Sequence, residues 1–109
     1  MTNRAKFTGL EFDHKKLKFF SGLNRMDGKG NFTRKAMIFK DEFETYYLMS
    51  SGLFVCCVDV FGEFIRLHKR FDATTIAHIN AFRVAMGLEQ ISIRQFSSLP
   101  VIEKIAPSE

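Results

Sequence analysis

The stretch that decides the fold is Leu53-Phe54-Val55-Cys56-Cys57-Val58-Asp59-Val60, an almost continuous apolar run. Successive side chains of a β-strand point to opposite faces of a sheet, and in this run both sets are apolar. Such a strand is typical of the inside of a sheet that is covered on both faces. The run therefore predicts an inner strand, with Asp59 near its edge or end.

Shorter segments with strand character flank this run and are separated by turn signals. Ser50-Ser51-Gly52 precedes the run, Phe61-Gly62 follows it, and Asp27-Gly28 lies in a loop nearer the N-terminus. Because these connections are too short for the crossovers that parallel strands require, the sheet should be mainly antiparallel. The further strands are predicted over Leu17–Leu23, Phe32–Lys40, Thr45–Met49 and Glu63–Lys69.

After Phe71 the spacing of the apolar residues changes from two to near four, which indicates a helix. Asp72 or Thr74 can cap its start, and Gly87 stands where the chain leaves the helix after Met86. Apolar side chains cover most of the helix circumference, so we expect a helix that is almost surrounded by the rest of the protein. The outward side is predicted to hold Ile76, Asn80 and Arg83.

A second, shorter helix is indicated by Ser92-Ile93-Arg94-Gln95, which has capping-box spacing, and Pro100 ends it. The predicted fold class is α+β: a mainly antiparallel sheet of four to five strands, then one main helix and a short C-terminal helix. A chain of 109 residues is long enough for one core. We therefore expect a single domain over residues 1–109, with frayed ends at 1–6 and 103–109.

Charge is distributed unevenly along a sequence of otherwise ordinary globular composition. Residues 1–40 contain ten Lys and Arg against three Asp and Glu, whereas residues 41–109 contain six against nine, which gives the net charge of +4. No apolar run is long enough to cross a membrane, and no apolar leader follows the N-terminus. The two cysteines are neighbours and make a poor disulfide. We expect a cytoplasmic protein without membrane contact.

The basic N-terminal part interleaves cations with aromatic residues, as in His14-Lys15-Lys16-Leu17-Lys18-Phe19-Phe20. Cations for phosphates beside rings for base stacking are typical of single-strand nucleic-acid binding. The same alternation occurs in a strand with one solvated and one buried face, which is the simpler interpretation. The candidate binding residues in this part are Lys15, Lys16, Lys18, Phe19, Phe20, Arg34 and Lys35.

A second basic group lies on the predicted strand that precedes the main helix. Ile65 and Leu67 should point to one face of this strand, and Arg66, His68 and Arg70 to the other. If that polar face is exposed, its cations stand roughly 7 Å apart, which is close to the spacing of phosphates in a nucleic-acid strand. A solvated sheet face without a ligand is the alternative. Arg66, His68 and Arg70 complete the candidate binding surface.

No catalytic or metal-binding constellation is recognisable in the sequence. His78 falls among the apolar residues of the main helix, and we interpret it as a core histidine bonded to a backbone carbonyl or a strand hydroxyl. A general base is the alternative role for His78. Cys56 and Cys57 should point to opposite faces of their strand, which argues against a shared zinc ion. Gly28-Lys29-Gly30 is too short for a phosphate-binding loop, so no cofactor is predicted.

The stretch from Tyr47 to Val101, about half of the chain, resembles a group of small uncharacterised proteins of Gram-positive phages and mobile elements. The resemblance is carried by a Thr-Thr-x-x-His-Ile-Asn-x-Phe pattern, matched here by Thr74, Thr75, His78, Ile79, Asn80 and Phe82. It implies a genetic context rather than a reaction. Small non-enzymatic phage proteins commonly bind a host machine, as anti-CRISPR inhibitors do, so by analogy this resemblance implies a counter-defence role.

Two functional hypotheses follow for this chain. The first is a non-enzymatic protein-interaction module, with a host protein or a ribonucleoprotein complex as its partner and the inhibition of a host defence complex as its effect. A net charge of +4 disfavours mimicry of DNA but permits an acidic protein surface or a guide RNA as the target. The alternative is a protein that binds single-stranded nucleic acid with a basic, Phe-rich face. A monomer and a homodimer are both compatible with the sequence.

Overall fold

The structure is a computed structural model that describes residues 17–32 and 35–102, and it has the predicted α+β architecture. Its elements are β1 (Lys18–Gly22), β2 (Ala36–Lys40), β3 (Tyr46–Ser50), β4 (Leu53–Val58), β5 (Phe64–Arg66), α1 (Ala73–Ala85) and α2 (Ile93–Ser97). The predicted frayed ends lie outside the described residues. None of the helices in the described part of the chain is long and apolar enough to cross a membrane.

The five strands form one antiparallel sheet in the order β1-β2-β3-β4-β5, which confirms the predicted, mainly antiparallel sheet of four to five strands. Each strand pairs with its neighbour in sequence because the short turns between strands allow only antiparallel pairing. Strands β1 and β5 are the outer strands. The pairing of β1 with β2 shifts between Phe19 and Ser21, which makes Phe20 an extra, bulged residue.

Strand β4 lies inside the sheet and is buried on both faces, as its sequence predicts. Phe54 to Val58 are all buried, and Asp59 follows the end of the strand. Cys56 and Cys57 point into different apolar clusters. The helix-side cluster comprises Leu23, Ala36, Ile38, Leu48, Val55, Cys56, Val58, Ile76, Ile79, Ala81, Phe82 and Phe96. The opposite cluster comprises Tyr47, Phe54, Cys57, Ile65 and Leu67.

Helix α1 begins and ends where the capping residues predict. The Asp72 carboxylate accepts a hydrogen bond of 2.8 Å from the Thr75 backbone N–H, and this bond lowers the pKa of Asp72. Gly87 takes a φ of 84°, a left-handed conformation that costs a residue without a Cβ little. Local sequence signals therefore determine the length of this helix.

The prediction that α1 is almost surrounded is wrong. Ile76, which was expected to face outward, is buried, whereas Ala77, Val84 and Ala85 are exposed. The helix lies on one face of the sheet, so apolar residues on its far side remain in contact with solvent. Apolar periodicity alone overestimated the burial because small residues such as alanine are compatible with either side.

Asn80 and Arg83 are half-buried rather than outward-facing, because both side chains bind the loop that follows α1. The Asn80 amide donates to the Ile91 carbonyl over 2.9 Å and accepts from the Ile91 N–H over 2.6 Å. The Arg83 guanidinium donates to the Glu89 carbonyl over 2.6 Å. These bonds fix the position from which α2 starts.

Helix α2 has the predicted capping box. The Ser92 hydroxyl accepts from the Gln95 N–H over 3.0 Å, and the Gln95 side chain accepts from the Ser92 N–H over 2.9 Å. The short helix places the buried ring of Phe96 in the helix-side cluster. The C-terminal end of α2 lies close to β5 and helps to bury Arg66, a residue of the predicted binding surface.

Candidate interaction surface

The outer edge of β1 exposes two neighbouring aromatic rings. The side chains of Phe19 and Phe20 are 59% and 50% exposed. Among the described residues, β1 pairs with β2 only, so the outward backbone groups of β1 have no strand partner there. Edge strands with free backbone groups are sites where another chain can add a strand. This edge is the most accessible aromatic part of the predicted surface.

Two lysines lie opposite each other beside these rings. Lys18 of β1 pairs in register with Lys40 of β2. The Lys40 ammonium lies 3.2 Å from the Glu44 carboxylate, and this hydrogen bond raises the pKa of Lys40. The same ammonium is 6.0 Å from the centre of the Phe20 ring and 5.6 Å from that of Tyr46. Three of the candidate residues, Lys18, Phe19 and Phe20, line one groove together with Lys40.

The two exposed rings lie on different faces of the sheet. The Phe19 ring contacts Phe39, which packs against the opposite cluster, at 5.9 Å between ring centres. The Phe20 ring contacts Tyr46, which packs against the helix-side cluster, at 4.9 Å. The two rings therefore cannot form one platform on which successive bases stack. They can cover both faces of a strand that is added to this edge.

Phe20 also borders two shallow grooves. One, of about 570 Å³, is lined by Lys18, Phe19, Phe20, Lys40, Asp41, Glu42 and Glu44, and mixes two lysines with three carboxylates. The other, of about 350 Å³, runs between β1 and the C-terminal half of α1, where Ala81, Val84 and Met86 line it. The edge of β1 is thus continuous with an apolar groove on the helix side.

The other N-terminal candidates do not join this group in the described structure. Lys35 is exposed but precedes the start of β2, roughly 17 Å along the strand from Lys40. Lys15, Lys16 and Arg34 lie outside the described residues. The contiguous basic and aromatic surface therefore consists of Lys18, Phe19, Phe20 and Lys40.

The prediction of an exposed row of cations on the strand before α1 is wrong for Arg66. Its side chain is only 5% exposed, because α2 and the chain after it cover that face of β5. The guanidinium donates to five backbone carbonyls at 2.7 to 3.1 Å, those of His68, Lys69, Phe96, Ser97 and Leu99. It also lies 4.6 Å from the centre of the Phe96 ring. Arg66 thus stabilises the C-terminal end of α2.

His68 and Arg70 are half-buried and do not form a free cationic row either. The His68 Nδ1 atom accepts from the Arg70 N–H over 3.2 Å. The Arg70 guanidinium donates to the Ser50 carbonyl over 3.0 Å. Ile65 and Leu67 lie in the opposite cluster, so the predicted division between the two faces of this strand is confirmed. Only the exposure of the polar face was misjudged.

His78 is the core histidine that its helical position predicts. Its side chain is 2% exposed, and Nδ1 forms a hydrogen bond of 2.7 Å with the Ser50 hydroxyl of β3. The Phe32 ring packs against the imidazole at 4.6 Å between ring centres. Burial lowers the pKa of His78, which favours the neutral ring. A substrate has no access to a side chain in this position.

Metal binding finds no support among residues 17–32 and 35–102, where no three His, Cys, Asp or Glu side chains are grouped to hold an ion. Burial raises the pKa of both Cys56 and Cys57. Their thiols are therefore kept protonated, which is unfavourable for nucleophilic attack and for metal binding.

The predicted binding surface omitted three exposed phenylalanines, Phe43, Phe61 and Phe71. Phe43 is 56% exposed in the turn between β2 and β3, and Phe61 is 91% exposed in the turn between β4 and β5. An Asp-x-Phe pattern occurs in both turns, at Asp41 and at Asp59, and this repeat is the signal that could have identified them. From the sequence, Phe61 was interpreted only as part of a turn between strands.

Comparison with known protein families, with curated proteins and with solved structures finds no match to this chain. Function is therefore inferred from the geometry and chemistry of the surface described above.

Proposed function

We propose that the protein acts by binding another protein, without catalysis, and that the outer edge of β1 is a contact site. The observation that carries the proposal is an edge strand with exposed aromatic rings on both of its faces. An incoming strand can bond to the outward backbone groups of β1, while its alternate side chains pack on Phe19 on one face and on Phe20 on the other. The apolar groove along α1 extends the contact surface on the Phe20 side.

Binding of single-stranded nucleic acid is the alternative, and the pairing of Lys18 with Lys40 is the observation that favours it. Two features of the same edge support it less well than a protein partner. The Phe19 and Phe20 rings lie on opposite faces, so they cannot stack successive bases together. Three carboxylates line the groove beside the lysines and would repel phosphates.

The biological setting of the proposal comes from the resemblance of the α1 start to phage and mobile-element proteins. That resemblance implies a host defence complex as the bound protein or ribonucleoprotein, with inhibition as the result, in the manner of anti-CRISPR proteins. The chain's overall positive charge fits a target with an acidic surface better than it fits mimicry of DNA.

The test compares capture by the wild-type chain with capture by a variant that carries Phe19→Lys and Phe20→Lys. Lysine on an edge strand opposes strand addition, and both rings are exposed enough for the fold to tolerate the changes. Ile93→Ser, at an exposed apolar position of α2, is the matched control. We expect nuclease-treated host lysate to yield a stoichiometric partner for wild type and the control, but not for the β1 variant. Capture that disappears with nuclease treatment would favour the nucleic-acid alternative instead.

A further inference from the structure

Two turns of the sheet have the same internal geometry. They are Asp41-Glu42-Phe43-Glu44-Thr45, between β2 and β3, and Asp59-Val60-Phe61-Gly62-Glu63, between β4 and β5. In each turn one aspartate oxygen accepts from the N–H of the phenylalanine, at 2.8 and 2.9 Å, and from the N–H of the last residue, at 3.1 and 2.9 Å. Each phenylalanine therefore occupies the equivalent position of an equivalent turn.

The backbone bonds and dihedral angles repeat as well. The first residue of each turn donates to the carbonyl of the last over 3.1 Å, and the fourth residue donates to the carbonyl of the first, over 3.3 and 2.9 Å. The fourth residue has a positive φ in both turns, 66° at Glu44 and 84° at Gly62. A three-residue hairpin loop of this kind ends with a left-handed residue. Both turns are consequently preorganised, and neither has to be ordered by a partner.

The two turns lie at the same end of the sheet. In an antiparallel meander, the β2–β3 and β4–β5 turns are on the same side, two strand spacings apart, which is about 10 Å. We call this end the tip surface and define it as residues 41–45 and 59–63. Phe43 and Phe61 are among the exposed large apolar residues of the protein. The sheet fixes the spacing of the two turns that carry these rings.

The tip surface is acidic although the protein as a whole is basic. Its carboxylates are those of Asp41, Glu42, Glu44, Asp59 and Glu63, and it contains no Lys or Arg. The Lys40 ammonium at its border is paired with Glu44. A surface with this charge repels phosphates of nucleic acids and of anionic lipids, whereas it attracts a cationic protein surface.

We propose that the tip surface docks a cationic patch on a partner protein, and that this patch has two apolar pockets about 10 Å apart, one for each phenylalanine. Exposed aromatic rings on rigid turns are suited to act as anchors that fill such pockets. The surrounding carboxylates supply the charge complementarity. The β2–β3 turn of this site borders the groove beside Phe20, since Asp41, Glu42 and Glu44 line that groove. Phe61 lies beyond three intervening strands, so changes at Phe61 test the tip surface without touching the β1 edge.

The recognition chemistry can be tested with cyclodextrins, whose apolar cavity accepts one aromatic ring. β-Cyclodextrins with amino, hydroxyl or carboxyl rims are titrated into the full chain and followed by nuclear magnetic resonance. We expect the amino form to bind at least threefold more tightly than the neutral form, and the carboxyl form least tightly, with shifts at Phe43 and Phe61. The preference should vanish when Glu42→Lys and Glu63→Lys are combined. Equal affinities, or shifts confined to Phe19 and Phe20, would overturn the proposal.

The spacing is tested with two amino-cyclodextrins joined by a linker that spans about 10 Å. The linked pair should bind wild type at least tenfold more tightly than a single ring does, because the second contact becomes intramolecular. Phe43→Ser or Phe61→Ser should each remove this gain while leaving the melting temperature unchanged. If both single variants retain the gain, the two phenylalanines do not act as a pair.

The same variants are then applied to the protein partner captured through the experiment on β1. Phe43→Ser combined with Phe61→Ser should lower its affinity at least tenfold, and added salt should lower it further. A partner that is lost only with the β1 variant would overturn the tip surface as a docking site and leave the β1 proposal standing. A partner that is lost only with the tip variant would overturn the β1 proposal and leave the tip surface standing as a docking site. If the chain self-associates and the tip variant abolishes that association, the occupant of the tip surface is a second copy of this chain. That result would overturn the proposal of a cationic partner.

Discussion

At both outer strands of the sheet a cation lies beside an aromatic ring, but the ring is exposed at β1 and buried at β5. At β1, Lys18 and Lys40 lie beside the exposed ring of Phe20. At β5, Arg66 lies beside the buried ring of Phe96. The first pairing of cations and rings is available to a partner, whereas the second holds the protein together.

The difference arises from what the chain packs against each edge. On the outer side of β5, Val101 forms a parallel bridge with Arg66, and the Ile102 N–H donates to the Arg66 carbonyl over 2.9 Å. Helix α2 then presents its last carbonyls to the guanidinium. In the described part of the chain, β1 has no such neighbour on its outer side. A cation beside an aromatic ring therefore indicates a binding site only when its strand edge is left uncovered.

The largest difference between the two edges is expected when one cation on each edge is exchanged for methionine. Arg66→Met leaves five backbone carbonyls without their donor, and we expect a loss of about 3 kcal/mol in the free energy of unfolding. Thermal unfolding should show a fall in melting temperature of roughly 10 °C or more. Lys18→Met at the exposed edge is the matched change, with an expected effect below about 0.5 kcal/mol. Equal effects of the two changes would refute the assignment of structural and surface roles.

A second prediction concerns the protonation of His78, which is buried in the core. His78 is buried with one hydroxyl partner, and burial lowers its pKa below that of the unfolded chain. As the pH falls through about 6.5, the unfolded chain takes up the proton first, so the free energy of unfolding should decrease by at most about 1.4 kcal/mol per pH unit. Above about pH 7 this contribution should be constant.

Urea unfolding between pH 7.5 and 5 measures this effect. His78→Gln, which cannot titrate in this range, should show a nearly flat profile at a lower overall stability. An unchanged pH dependence in His78→Gln would assign the effect to another group.

A third, smaller effect is expected when the covered edge is opened. Ile102→Pro removes the N–H that donates to the Arg66 carbonyl, which should cost about 1 kcal/mol, and Ile102→Val retains that donor. Chemical denaturation compares the two variants. If Ile102→Pro is no less stable than Ile102→Val, this bond does not help to close the β5 edge.

The smallest effect on stability is expected at the exposed edge itself. Phe20→Ser removes a half-exposed ring that contacts Tyr46, so the free energy of unfolding should fall by no more than about 1 kcal/mol. Partner binding should nevertheless be lost, as measured by capture from nuclease-treated lysate. A large loss of stability with binding intact would make Phe20 a core residue rather than a contact.

The parts of the fold that the sequence predicted correctly depend on signals between near neighbours. The capping box of Ser92 and Gln95 and the Asp72 cap involve residues only three positions apart. Strand β4 was predicted correctly because a strand with apolar residues on both faces must be buried on both faces, whichever elements bury it. The exposure of Arg66 could not be predicted in this way, since its carbonyl partners in α2 lie about thirty residues further along the chain.

The candidate surface also depends on both local signals and contacts between residues that are distant in sequence. Alternation placed Lys18 and Phe19 on a strand, but the position of that strand at the edge and the bulge that turns Phe20 to the helix side depend on pairing with β2. The matched turns of Phe43 and Phe61 are encoded locally by their aspartates, yet their common side and spacing follow from the order of the strands.

Signals between near neighbours were enough to predict the α+β class, the mainly antiparallel sheet, the ends of both helices and the burial of His78, because local bonds and apolar periodicity act over a few residues. Only the tertiary structure decided which strand edge is covered, which face of α1 is exposed and which aromatic rings can be reached by a partner. Those properties depend on the packing of segments that are distant in sequence, and no local pattern of residues encodes that packing.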